Sequence, residues 1–119
     1  MDSALVLLDD PLSRIREICL AFPEASERLS HGEPAWFIRE KKQFASYANN
    51  HHDDRVGVWF AAAEGVQEEL IHTAPDRYFR PPYVGHRGWV AAYVDVPVDC
   101  VELEGLLEDA YRCVAEKRR

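Results

Sequence analysis

Positive charge is scarce in this sequence, cysteine is scarcer, and no apolar run is long enough to cross a bilayer. Fourteen Lys and Arg stand against 21 Asp and Glu, a formal charge of −7 with a pI near 5.2. That balance repels polyanions such as DNA unless the basic side chains gather on one face. The 3 cysteines, Cys19, Cys100 and Cys113, show no CxxC or other metal-ligand spacing, and an odd number is poor material for a disulfide framework. On one shared helix, Cys100 and Cys113 would stand roughly 20 Å apart, too far to bridge. They are expected to be reduced thiols. The early apolar run, Ala4 to Leu8, follows Asp2 and precedes Asp9 and Asp10, so it lacks the cationic start and the length of a signal peptide or membrane span. The expected compartment is the cytoplasm, with no membrane partner.

Motifs of catalysis are missing as well. There is no GxxxxGK or GxGxxG loop for nucleotide phosphates, no GxSxG elbow around any serine, and no HExxH. No catalytic residue, metal or cofactor is therefore assigned. The stretch His51-His52-Asp53-Asp54 has the residue types of a metal site but no second His or Cys cluster to complete one, and it is predicted to be a solvated turn. His31 and His72 fit a turn and a helix end better than a general base. Glu102, Glu104, Glu108 and Asp109 are predicted to form the solvated side of a helix.

What remains is the composition of an ordinary globular protein, 47% hydrophobic and 29% charged over 119 residues. This is enough chain to bury a core without disulfide or metal staples. One domain over 1–119 is expected, with residues 1–10 as an N-terminal arm or extension. Asp10 and Pro11 pattern as a helix cap and first position, followed by Leu12, Ile15, Ile18, Cys19 and Phe22 on one face. Beyond a polar turn, strands are predicted over Ala35 to Arg39, Gln43 to Asn49 and Arg55 to Ala61. A short helix over Glu64 to Thr73 follows, with Val66 and Leu70 inward and Gln67 and Glu68 outward. Trp89 to Val94 is the strongest late strand. Asp99 with Glu102 then caps a final helix carrying Leu103, Leu106, Leu107, Ala110, Tyr111 and Val114. This order predicts an α+β domain, an antiparallel β-sheet meander with helices packed mainly on one face.

The densest clue is "FRPPYVGHRGWVAAYVD", Phe79 to Asp95. Pro81 and Pro82 set their own φ and push the residue before each toward extended backbone, while Gly85 and Gly88 allow positive φ or close approach. The predicted outcome is a stiff route that presents Arg80, His86 and Arg87 to solvent before Trp89 enters the sheet.

Taken in order, "HGEPAWFI", "KKQFAS", "TAPDRYFRPPYVGHRGWVAAYVD" and "LEDAYRCVAEKR" resemble the MmcQ/YjbR, or YjbR-like, family from about Leu12 to Arg118. Two departures stand out: Cys100 occupies a place where many relatives have tryptophan, and Glu116 one where proline is common. The resemblance implies a compact α+β domain with DNA-binding, double-wing-type hairpins. On this chain the tips would be Arg39, Lys41 and Lys42 on the first hairpin and His86 and Arg87 on the second, with Arg80 nearby, all directed at phosphates. The alternative is a binding domain for a small anionic ligand or a protein partner, its pocket bordered by Trp36, Trp59, Tyr83 and Trp89 with Arg80 or Arg87 as the anion anchor. A contiguous basic surface would favour the first and a deep aromatic cavity the second.

Overall fold

The computed structural model describes residues 5–49 and 55–116. The predicted turn at 51–54 lies outside the described residues. Strand β1, Leu5–Val6, leads to helix α1, Pro11–Leu20, where the Asp10 carboxylate accepts from the Ser13 amide at 3.2 Å and its hydroxyl at 2.8 Å. Ile15, Ile18 and Cys19 are its buried face.

Strand β2, Ala25–Ser30, occupies the stretch predicted to be a polar turn. Its Ser-Glu-Arg core has no apolar alternation to announce a strand. It forms because every residue from Ala25 to Ser30 pairs antiparallel with strand β3, Glu33–Ile38. Between them His31 (φ 56°) and Gly32 (φ 84°) make a two-residue turn, and two positive φ values are what a type I′ hairpin requires. His31 therefore has a backbone task in that motif.

Strands β4, Lys42–Asn49, and β5, Val56–Phe60, continue the meander, followed by helix α2, Val66–Thr73. Tyr78–Phe79, which reads as a turn in sequence, is a short strand β6 paired with β7, Val90–Tyr93. Strand β8, Val98–Asp99, pairs antiparallel with β1, so the apolar N-terminal run supplies an added strand. Helix α3, Cys100–Ala115, closes the chain; its cap is Asp99, which accepts from the Glu102 amide at 3.1 Å. The six-stranded sheet has the order β2-β3-β4-β5-β7-β6, antiparallel throughout.

Cross-strand register separates the two faces. Trp36, Ala45, Phe60 and Val90 lie side by side on the face covered by α1 and α3, with Trp36, Phe44, Phe60, Ile15 and Leu107 fully buried. Phe22 stacks on Tyr111 at 4.9 Å, and Phe44 meets the Tyr111 ring edge-on at 5.6 Å, locking α3 over the sheet. The opposite face carries Ala35, Ser46, Trp59, Ala91 and Phe79 in register. At one margin Arg28 lies over Phe37 at 3.7 Å; at the other, Arg55 lies over Tyr93 at 3.8 Å, and Tyr93 stacks on Phe79. Trp59 stands between these margins.

Candidate functional site

The connection from β6 to β7, residues 80–89, is not a narrow projecting hairpin tip. Its first anchor is Pro81, which is buried. At Tyr83 the backbone takes φ 69°, and the Val84 amide donates to the Pro82 carbonyl at 2.7 Å. A hydrogen bond between residues two apart around a positive φ is the γ-turn that costs a side-chain-bearing residue most. A 3₁₀ turn follows over Gly85–Arg87 and ends at Gly88, φ 86°. The Arg80 side chain passes over Gly85 so closely that a Cβ there would fall 2.5 Å from Arg80 Cγ.

Gln67 on α2 holds this connection from behind. Predicted to face outward, it is instead buried, and its Nε2 donates to the carbonyls of Gly85 at 2.9 Å and Trp89 at 2.6 Å. The cause is tertiary: the curled segment turns two carbonyls toward α2, and a buried carbonyl needs a donor. Held at both ends, the segment buries Gly85 and Trp89 and leaves Tyr83, His86 and Arg87 exposed.

The β3–β4 tip is a tighter device. Arg39 (φ 53°) and Glu40 (φ 61°) are both left-handed, the Lys41 amide donates to the Ile38 carbonyl at 3.0 Å, and Arg28 Nη1 donates to the Glu40 carbonyl at 2.9 Å. Arg39 pairs with Glu24 at 2.9 Å, so part of its charge is answered within the molecule. Lys41 and Lys42 are exposed beyond it.

Three hollows meet at Arg87. An open groove of about 1040 Å³ runs between Lys41, Lys42, Arg87 and Trp89, with Glu116 on its far wall. A second, of about 900 Å³, brings Arg80 and His86 beside Arg87 but opposes them with Glu64, Glu68 and Asp109. The third, of about 590 Å³, lies over the open sheet face and is lined by His31, Ser46, Trp59, Tyr83, Trp89 and Arg87. The Arg87 guanidinium stands 5.5 Å from the Trp89 ring, which orients it at the junction.

Of the predicted basic residues, the fold thus unites Lys41, Lys42 and Arg87, sets Arg80 and His86 in the adjoining groove, and engages Arg39 with Glu24. Of the predicted aromatics it unites Trp59, Tyr83 and Trp89. Trp36 is the exception: it is 0% exposed on the helix-covered face, and its Nε1 donates to Glu27 at 2.9 Å, so it is a core residue and does not join the other three aromatics in their hollow. Glu102 lies exposed on α3, as predicted, and it also makes two contacts there. It accepts from Arg77 at 2.7 Å and from the Tyr78 hydroxyl at 2.9 Å, tying α3 to the β6 edge. Among the described residues, no group of three or more His, Cys, Asp or Glu is placed to hold a metal ion, and no helix is long and apolar enough to cross a membrane.

A six-stranded antiparallel sheet with helices across one face, and an open face flanked by stiff turns, defines this chain as an α+β domain. It matches the YjbR family over residues 20–113, and the chain belongs to that family. No curated protein matches it. Its fold is similar to the crystal structure of Deinococcus radiodurans protein DR2400, described as a DUF419 domain, with a TM-score of 0.77 and 19% identity over 92% of this chain and 84% of that one.

Proposed function

We propose that this domain binds DNA weakly and without catalysis, through phosphate contacts from Lys41, Lys42 and Arg87. One observation carries this: three basic side chains, adjacent Lys41 and Lys42 from one segment and Arg87 from another far away in sequence, line a single open groove on a protein whose overall charge is −7. A basic groove on an acidic molecule is a segregated charge, the condition under which such a molecule attracts a polyanion. Arginine supplies a two-donor fork and the lysines supply point charges, which suits phosphate contact without reading bases. With few contacts, affinity is modest and salt-sensitive.

The test is fluorescence anisotropy of labelled DNA, both duplex and single-stranded, across a salt series, with wild type and the triple variant Lys41→Ala, Lys42→Ala, Arg87→Ala. The expected result is binding that weakens steeply with salt, and a triple variant whose log–log slope is shallower by roughly 2 to 3. Equal affinity of variant and wild type would remove these residues from the site, and no binding of either DNA at low salt would end the DNA proposal.

A second reading, a small anionic ligand, is favoured by the size of the hollow at Trp59, Tyr83, Trp89 and Arg87, about 590 Å³, within the range of small-molecule sites. It predicts saturable binding with no dependence on polymer length.

A further inference from the structure

We infer that the DNA this surface takes is unpaired, with one strand's phosphates along the Lys41/Lys42/Arg87 groove and a base stacked on the ring of Tyr83; this rests on the DNA-binding proposal and specifies its ligand. The first observation is the mount of Tyr83. A residue with a side chain sits at φ 69° in a γ-turn closed at 2.7 Å, although glycine would occupy that backbone at less cost. The strained turn carries its side chain outward and not into the core, since Tyr83 is 73% exposed. Strained backbone that is held in place from outside the turn is a mark of a working site. Here it is held by buried Pro81 before the turn and by Gln67 on the Gly85 carbonyl after it.

The second observation is position. Tyr83 lines the hollow that also contains Trp59 and Arg87, and Arg87, Gln43, Val84 and Trp89 are shared with the lysine groove, so the aromatic and cationic surfaces are continuous. A basic channel beside exposed aromatic rings is the arrangement that binds single strands without sequence preference: the cations follow the backbone and the rings take the bases. In duplex DNA the base faces are already stacked on their neighbours, and an exposed tyrosine beside the groove has nothing to receive. In a single strand each base has a free π-face. A ring fixed by a rigid turn also loses little conformational freedom on binding.

The experiment compares three labelled DNAs of equal length, about 12 nucleotides and thus within the span of a small single-strand site: an oligothymidine, the same backbone with abasic positions, and a duplex. Each is titrated against wild type, Tyr83→Ala and Tyr83→Phe. Oligothymidine is expected to bind more tightly than both other DNAs. Tyr83→Ala should lose roughly 5- to 150-fold toward oligothymidine only, and Tyr83→Phe should keep wild-type affinity. The salt slope, set by phosphates, should be the same for all three proteins. If the abasic strand or the duplex binds as well as oligothymidine, or Tyr83→Ala binds oligothymidine like wild type, base stacking is wrong while phosphate binding stands. If no DNA binds at low salt, both fall together. The abasic comparison needs no variant, so a misfolded Tyr83 mutant cannot obscure the result.

Discussion

Glu27 shows how much one side chain can join. Its carboxylate accepts from Arg16 Nε and Nη2, both at 2.8 Å, and from Trp36 Nε1 at 2.9 Å, which links α1, β2 and β3. Those bonds, the Arg16 pair foremost, hold its pKa below the ordinary 4.5 against the opposing push of burial. Asp95 is likewise held below the ordinary 3.8, first by Arg55 and also by the Val56 amide. A carboxylate whose folded pKa is depressed contributes stability that is complete above its unfolded pKa and is lost as pH falls through the folded value. Thermal unfolding is therefore expected to be insensitive to these two groups at neutral pH and to soften progressively below about pH 4.5. Replacing both with their amides should flatten that acid limb; an unchanged limb would show that other carboxylates set it. Glu27→Ala additionally strands the fully buried Trp36 Nε1, a loss of about 1–3 kcal/mol readable in the urea midpoint.

At the scale of elements, stability and the proposed binding surface meet in residues 80–89. Gln67→Ala would leave the Gly85 and Trp89 carbonyls without their buried donor, an expected cost of about 1–3 kcal/mol. Amide exchange in 80–89 should quicken well beyond that in β3 and β4, and DNA affinity should fall although no groove residue has changed. Unaltered exchange there would mean that the prolines alone hold the segment. The helices were legible in sequence because their signals are local: Asp10 and Asp99 do cap α1 and α3, and the apolar stripe of α3 does face the sheet at Leu103, Leu107 and Ala110. In the Asp99–Glu102 pair, Asp99 accepts from the Glu102 amide while the Glu102 carboxylate accepts from Arg77 and Tyr78. Strands β2 and β6 were not legible. Ser26, Glu27 and Arg28 lack alternation, Tyr78–Phe79 is too short for any, and each is a strand only because a neighbouring strand offers it a ladder.

On the scale of the whole molecule, charge is arranged in opposition. The groove that gathers Lys41, Lys42 and Arg87 also has Glu116 in its lining. An acid there repels a phosphate that the bases attract. Glu116→Gln is expected to tighten DNA binding at low salt by about two- to fivefold, an effect that shrinks as salt rises. No change at low salt would place the DNA backbone away from this end of the groove. The basic and aromatic candidates were recognisable as residue types, but their grouping was not: Lys41 and Arg87 meet because the β3–β4 tip and the β6–β7 connection flank the same part of the sheet.

Sequence alone determined what depends on neighbours along the chain: the helix caps, the apolar faces of α1 and α3, the stiffness of Pro81-Pro82 and the turn at His31-Gly32. Composition likewise determined the acidic balance. Tertiary structure decided what depends on distant partners. It buried Trp36 and left Trp59 half-buried on the other face, although both are tryptophans in strands, because a strand's register selects the face and its own residues do not reveal which face the helices will cover. It drew Gln67 inward, engaged Arg39 with Glu24, and set Arg87 at the meeting of three hollows. Each of those outcomes is a contact between segments whose spacing in sequence carries no trace of their distance in space.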